Sequence, residues 1–250
     1  MVRSLSEAGF FVEPNVALLD RRTGKSREVD LVAEFYEHNP KLEKISVRTH
    51  FVVEAINNSL PIVAMTEHPE SPITDIDAFV RYATTPSDAP FQTRVDVFEG
   101  KGVFTEKRYS QYCGITRKKA GDELMASHPE DLYSSLLKIA EFIEQQASEF
   151  ESRQWPPEDP YWRLWFWQGV LVVGGEILTL DDSADGMSLV ETPRAPLVFN
   201  FHVGEQPKTV VIQLVREREL LPFARRVIEE DRTLALEVND VRSTFQDRVT

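Results

Sequence analysis

Residues 27–63 hold two strand-like apolar runs, each with a carboxylate set into it: Asp30 in REVDLVAEF and Glu54 in ISVRTHFVVEAINNSLPIV. Glu54 is the sharper constraint, because its immediate neighbours in FVVEAI are all apolar. A buried carboxylate without a partner costs several kcal/mol. A chain that folds this run as a central strand must therefore bring a metal, a cation or hydrogen-bond donors to it. Two consecutive strands carrying acids predict that Asp30 and Glu54 lie on one side of a sheet, close enough to share an ion. The bland alternatives are an Asp30 ion pair with Arg27 or Arg48, and a Glu54 at a strand end facing water or a basic neighbour.

The rest of the chain is read around that stretch. Residues 3–8 form a short helix, with Ser4 as N-cap and Gly9 as the stop. Residues 10–20 read as a strand that Pro14 kinks or confines to an edge, and a Thr-Gly turn pairs it as a hairpin with 27–35. Strands follow at 46–56 and 61–67, then a helix at 74–82 and a hairpin of 94–98 with 102–105. The clearest helix is 129–150. Ser127 is its expected cap, and Leu132, Leu136, Ile139, Ala140, Ile143 and Ala147 share its apolar face. The Pro-rich joint 155–160 separates an α/β core over 1–154 from a β-rich extension over 161–250, which either continues the same sheet or packs as a subdomain. In that extension Gly174–Gly175 are expected to turn a hairpin between two apolar strands, and Trp162, Trp165 and Trp167 to be core. Strands at 196–203 and 209–215 precede a short helix at 220–228, and the polar last twenty residues are left unplaced.

Charge and composition narrow the function classes. Lys and Arg total 28 against 41 Asp and Glu, a formal charge of −13. Avid nucleic-acid binding relies on cations that neutralise phosphates, so this balance disfavours it, leaving only local basic runs at 101–108 and 117–119. A protein partner or a homo-oligomer fits the acidic surface better. The single cysteine, Cys113, excludes an internal disulfide and a cysteine zinc cluster. No apolar run reaches the roughly 18 residues of a membrane span, and the N-terminus lacks a signal-peptide core, so the expected setting is cytoplasmic. The five histidines have no HExxH spacing, and Walker, GxGxxG and GxSxG motifs are absent.

The succession of a helix ending in Gly, FxVE, a Thr-Gly hairpin, REVDLVAEF and VVEAINNSLPIV resembles the restriction-endonuclease-like superfamily, the PD-(D/E)XK nucleases. The resemblance covers residues 3–67. It implies an α/β fold with a mixed sheet flanked by helices, a Mg²⁺ ion held by Asp30 and Glu54, and an acidic residue on the first helix, matched by Glu7. It extends to a helix around 107–119, where Gln111 matches a glutamine that the family often carries.

Two residues after Glu54 the family has lysine, and this chain has Ile56. That lysine positions and deprotonates the attacking water, so its loss implies an impaired centre or one supplied from elsewhere, Lys101 and Lys107 being the candidates. Asn57 or Asn58 can only orient a water. Two functions stay open: a metal-dependent phosphodiesterase acting on nucleic acid, weak on duplex DNA, and a non-catalytic relic of the fold serving as an interaction or assembly module.

Overall fold

The alternating apolar runs at the N-terminal end form an antiparallel meander that sets the frame of the site. In the computed structural model, which describes residues 1–20, 24–39, 41–42, 45–58, 60–68, 83–84, 107–117, 123–128, 130–154, 162–183 and 186–249, α1 (Val2–Glu7) leads into β1 (Phe11–Leu19), β2 (Ser26–Tyr36) and β3 (Ile45–Ile56). The strands β4 (Ile62–Glu67), β5 (Ala83–Thr84), β6 (Tyr109–Arg117) and β7 (Leu124–Ser127) follow, then α2 (Glu130–Glu151). The chain closes with β8 (Trp162–Val173), β9 (Ile177–Ser183), β10 (Gly186–Thr192), β11 (Arg194–Val203), β12 (Gln206–Arg216) and α3 (Leu220–Val249).

All these strands join one mixed sheet in the order β1-β2-β3-β8-β12-β11-β6-β4-β9-β10, with β5 on β8 and β7 on β6. The C-terminal strands continue the first sheet: β8 runs parallel to β3 from Ile45 opposite Trp162 to Ile56 opposite Val173. Their near-continuous apolar sequences suit strands covered on both faces. One cover is α2, whose six predicted core residues are all buried, packed on strands from both halves of the chain. The other is α3 with α1, gathered around Leu5, Phe51, Phe223 and Val227.

Several local expectations are corrected. Gly174–Gly175 do not close a hairpin, because β8 and β9 are not paired with each other. Gly174 N–H donates to the Ile56 carbonyl (3.1 Å) and Ile62 N–H to the Glu176 carbonyl (2.9 Å), so β3 and β8 bend together and continue as parallel β4 and β9. Glycine is needed at 175 for close approach: a Cβ there would lie 2.4 Å from the Asn58 carbonyl oxygen. The helix expected around 107–119 is strand β6, which pairs with β4, β7 and β11 and buries Tyr109 and Cys113. Ser127 belongs to β7 and donates to the Gly114 carbonyl, so it does not cap α2. Ser4 lies within α1, which Met1 caps without a side-chain bond. The helix expected over 220–228 runs on as α3 into the polar last twenty residues, where Leu234, Ala235 and Val238 are buried against β3 and β8. The helix expected at 74–82, the hairpin at 94–105 and the joint at 155–160 lie outside the described residues. Among the described residues no helix is long and apolar enough to cross a membrane.

Candidate functional site

The β2–β3 ladder runs from Tyr36 opposite Arg48 to Leu31 opposite Val53, and its next step would pair Asp30 with Glu54. There the two carboxylates take the place of backbone carbonyls. Asp30 N–H donates to Glu54 Oε1 (3.1 Å), and Ala55 N–H donates to Asp30 Oδ2 (2.8 Å). Each acid thus satisfies a backbone donor freed where the strands part.

A second irregularity coincides with this fork. Strand alternation would put Val29 and Leu31 on one face, yet Val29 packs in the α2-side core and Leu31 in the α3-side core. The β1–β2 register skips the pair that Asn15 and Asp30 would make, and Asn15 holds φ at 55°. A left-handed residue creases β1 at that point, and asparagine tolerates it better than most. Asp30 therefore sits on a crease beside a fork.

The cation that Glu54 demands comes from α2. Lys138 Nζ forms an ion pair with Glu54 Oε2 and also donates to the Glu28 carbonyl (3.3 Å). The Glu54 side chain is 2% exposed and that of Lys138 20%. Burial pushes the Glu54 carboxyl above its ordinary value; the Lys138 bond and charge pull it back, and the Asp30 charge pushes it up again. The basic partners weighed for Asp30 are engaged elsewhere: Arg27 with Asp20 (2.6 Å) and Arg48 with Glu34 (2.7 Å).

The remaining sequence candidates are not brought to this fork. Glu7 lies on α1, on the α3 side of the sheet, and pairs with Arg225 of α3 (3.4 Å). Lys107 pairs with Glu67 (3.2 Å), which raises its ammonium pKa. Gln111, on β6, accepts from the Thr66 hydroxyl (2.8 Å), several strands from β3 in sheet order. Asn57 is exposed just past the end of β3, at the bend beside Gly174. Ile56, in register with Val173, packs against the α2-side core. Lys101 lies outside the described residues.

Among the described residues no group of three or more His, Cys, Asp or Glu side chains is placed to hold a metal. Two carboxylates nevertheless fit Mg²⁺, which dehydrates reluctantly and is commonly held by one or two of them while keeping its own waters. Asp30 is half-buried, and among the described residues the bond it accepts falls on Oδ2, from Ala55 N–H. The donor set available to a divalent cation is thus Asp30 Oδ1 with Glu54, the latter now shared with Lys138.

Lys138 went unnoticed in the sequence, although it carries the same signal as Glu54: a charge set inside an apolar run, here LLKIAEFI. The aromatic cluster nearby is structural. His50 stacks on Trp167 (4.2 Å between centroids), Trp165 stacks on Phe150 (4.1 Å), and burial with the Arg48 charge lowers the His50 pKa to about 3. The chain matches no protein-family model, no curated protein and no solved structure.

Proposed function

We propose that the Asp30–Glu54–Lys138 fork is the centre of a metal-dependent phosphodiesterase of restriction-endonuclease-like type, with its lysine moved from the β3 position occupied by Ile56 to helix α2. The observation that carries this reading is the Lys138 ammonium, held on the Glu28 carbonyl and on Glu54, whose other oxygen accepts from the Asp30 N–H. A Mg²⁺ ion held by Asp30 and Glu54 would supply charge stabilisation at a phosphoryl oxygen. Asp30 and Glu54 bind and orient; the backbone donors of Asp30 and Ala55 fix their carboxylates in place. With Glu54 engaged by a cation, Lys138 would be the residue placed to hold or move a proton of the attacking water. General acid–base groups of this kind contribute about 10²–10⁴ in rate. The formal charge of −13 weakens long-range attraction to a duplex, so short single strands are the better substrates.

A second reading has its own support. Glu54 is 2% exposed and both its oxygens are engaged, an arrangement that also suits a relic in which the ion pair only staples α2 to the sheet. In that case the acidic surface serves a protein partner.

The test is hydrolysis of plasmid and labelled single-stranded oligonucleotides with Mg²⁺ or Mn²⁺, comparing wild type, Lys138→Met and the Asp30→Ala, Glu54→Ala double variant. The nuclease reading expects metal-dependent cleavage by wild type, loss in the double variant and a fall of about 10²–10⁴ in Lys138→Met. Wild type as inert as the double variant on every substrate would leave the relic.

A further inference from the structure

Helix α2 also borders a cleft of about 490 Å³, walled on its other side by the end of β11. Small-molecule sites span about 300–1,000 Å³, so the cleft is of ligand size. Tyr133, Leu137, Glu141 and Gln145 follow one another at four-residue steps, with Glu144 beside them, so one stripe of the helix faces it. Phe201 and Val203 of β11 line the opposite wall. Beneath them the rings run on: Tyr133 lies 5.7 Å from Phe199, which stacks on Phe201 at 6.3 Å. None of Asp30, Glu54 and Lys138 lines this cleft, so what it binds is independent of the chemistry at the fork.

The stripe changes character along its length. Tyr133 and Leu137 make one end apolar, and Glu141 and Glu144 make the other acidic, Glu141 lying about 12 Å along the helix from Tyr133. At the apolar end Tyr133 and Leu19, which also lines the cleft, stand 49% and 55% exposed. At the acidic end Lys208 reaches Glu144 at 2.8 Å and balances that carboxylate. Among the described residues no lysine or arginine lines the cleft itself. The Gln145 Oε1 is buried and accepts no hydrogen bond from the protein. We infer that this cleft binds a small organic cation, a primary ammonium on an aromatic or aliphatic body, with the body on Tyr133 and Phe201 and the ammonium at Glu141 and Gln145.

Each alternative ligand leaves part of this lining unmatched. An anion would meet two carboxylates, and His202, the one lining group able to gain a positive charge, is exposed. A neutral ligand of the same shape would fill the apolar end and forgo the charge at the acidic one. A quaternary ammonium would bring charge without N–H donors, and a buried acceptor left without a donor is costly. Carboxylates in a concave, partly apolar site also raise the local concentration of cations, and the formal charge of −13 acts in the same direction. A flat ring in the ligand would lie against aromatic side chains already packed and fixed in orientation.

The test titrates the full chain, followed by nitrogen–proton correlation spectra, with phenylbutylamine, phenylbutanol and phenylbutyrate, which share a body and differ in the head group. At ordinary ligand efficiency a molecule of about eleven non-hydrogen atoms binds with a Kd of about 1 mM, so titration to about 10 mM covers the range. The amine is expected to shift the amides of 133–145 and 200–204, and to bind about tenfold tighter than the alcohol. The butyrate is expected to leave those amides in place. Glu141→Gln, on a half-buried side chain, should bring the amine down to the affinity of the alcohol. Tyr133→Ala, on a half-exposed one, should weaken amine and alcohol alike by about three- to tenfold, with the rest of the spectrum unchanged. An alcohol that binds wild type as tightly as the amine, a butyrate that binds in its place, amine shifts that fall outside the cleft, or a Glu141→Gln variant that keeps the preference for the amine would each overturn the inference.

Discussion

Replacing Lys138 by Met keeps most of the side chain's volume and removes the charge that Glu54 faces. Glu54 would keep only the Asp30 N–H donor, in a site 2% exposed. Breaking a buried ion pair from one side costs about 3–5 kcal/mol, because an uncompensated charge remains. Protonation of Glu54 sets a ceiling on that cost. From an ordinary carboxyl value of 4.5, folding with a neutral Glu54 costs about 1.4 kcal/mol per pH unit. The ceiling is therefore about 4.8 kcal/mol at about pH 8 and about 1.4 kcal/mol at about pH 5.5.

The sign follows from proton counting. With the folded carboxyl raised above its unfolded value, the native state binds more protons in that window, so stability falls as pH rises through it. Urea denaturation of wild type and Lys138→Met should thus show a loss of about 3–4.8 kcal/mol near pH 8 that shrinks to at most about 1.4 near pH 5.5. At the size of this chain each kcal/mol is about 2–4 °C in Tm. The double variant Lys138→Met, Glu54→Gln removes both charges and should recover to within about 1–2 kcal/mol of wild type at both pH values. A Lys138→Met loss below about 1 kcal/mol near pH 8, or one that does not change with pH, would refute the account of Glu54 as a buried carboxylate held by this lysine.

Two further predictions concern the frame of the site. His50 is held neutral by burial, with a pKa lowered from 6.5 to about 3, so the unfolded state binds the extra proton and its contribution to stability is lost as pH falls below 6.5. Wild type should lose about 1.4 kcal/mol per pH unit relative to His50→Gln between about pH 6.5 and pH 5 in urea titrations, and parallel curves would contradict this. Gly175→Ala should cost about 1–3 kcal/mol in urea denaturation, since its Cβ would meet a backbone carbonyl at 2.4 Å, whereas Gly174→Ala meets the adjustable Asn57 side chain at 3.4 Å and should cost less.

The N-terminal meander was legible because its strands alternate, its turn is marked by glycine and both acids interrupt apolar runs. Those signals are local, and β1–β2–β3 pairing is local too. The rest depended on distant neighbours. Lys138 could be linked to Glu54 only by knowing which face of α2 lies over which strand, 84 residues away in sequence. Gly174–Gly175 between apolar strands is the usual hairpin signal, yet both flanking strands had parallel partners from the first half of the chain, and the bend followed them. Strand β6 has tyrosines and a glycine but no firm period, so a helix borrowed from the resemblance was set there and proved wrong. The exposed β10, like the short β5 and β7, lacks the apolar alternation that marks β2 and β3.

A cation centre at the fork requires that Asp30 and Glu54 hold the ion with Lys138 displaced from Glu54. Crystals soaked with Mn²⁺ and measured at its absorption edge address that directly. The prediction is one anomalous peak at metal–oxygen distance, about 2.0–2.4 Å, from Asp30 Oδ1 and a Glu54 oxygen, with Lys138 Nζ moved off Glu54 and no peak in Asp30→Asn crystals. A fork that carries no peak, with Lys138 still seated on Glu54, would contradict a metal centre and leave the ion pair as a staple between α2 and the sheet.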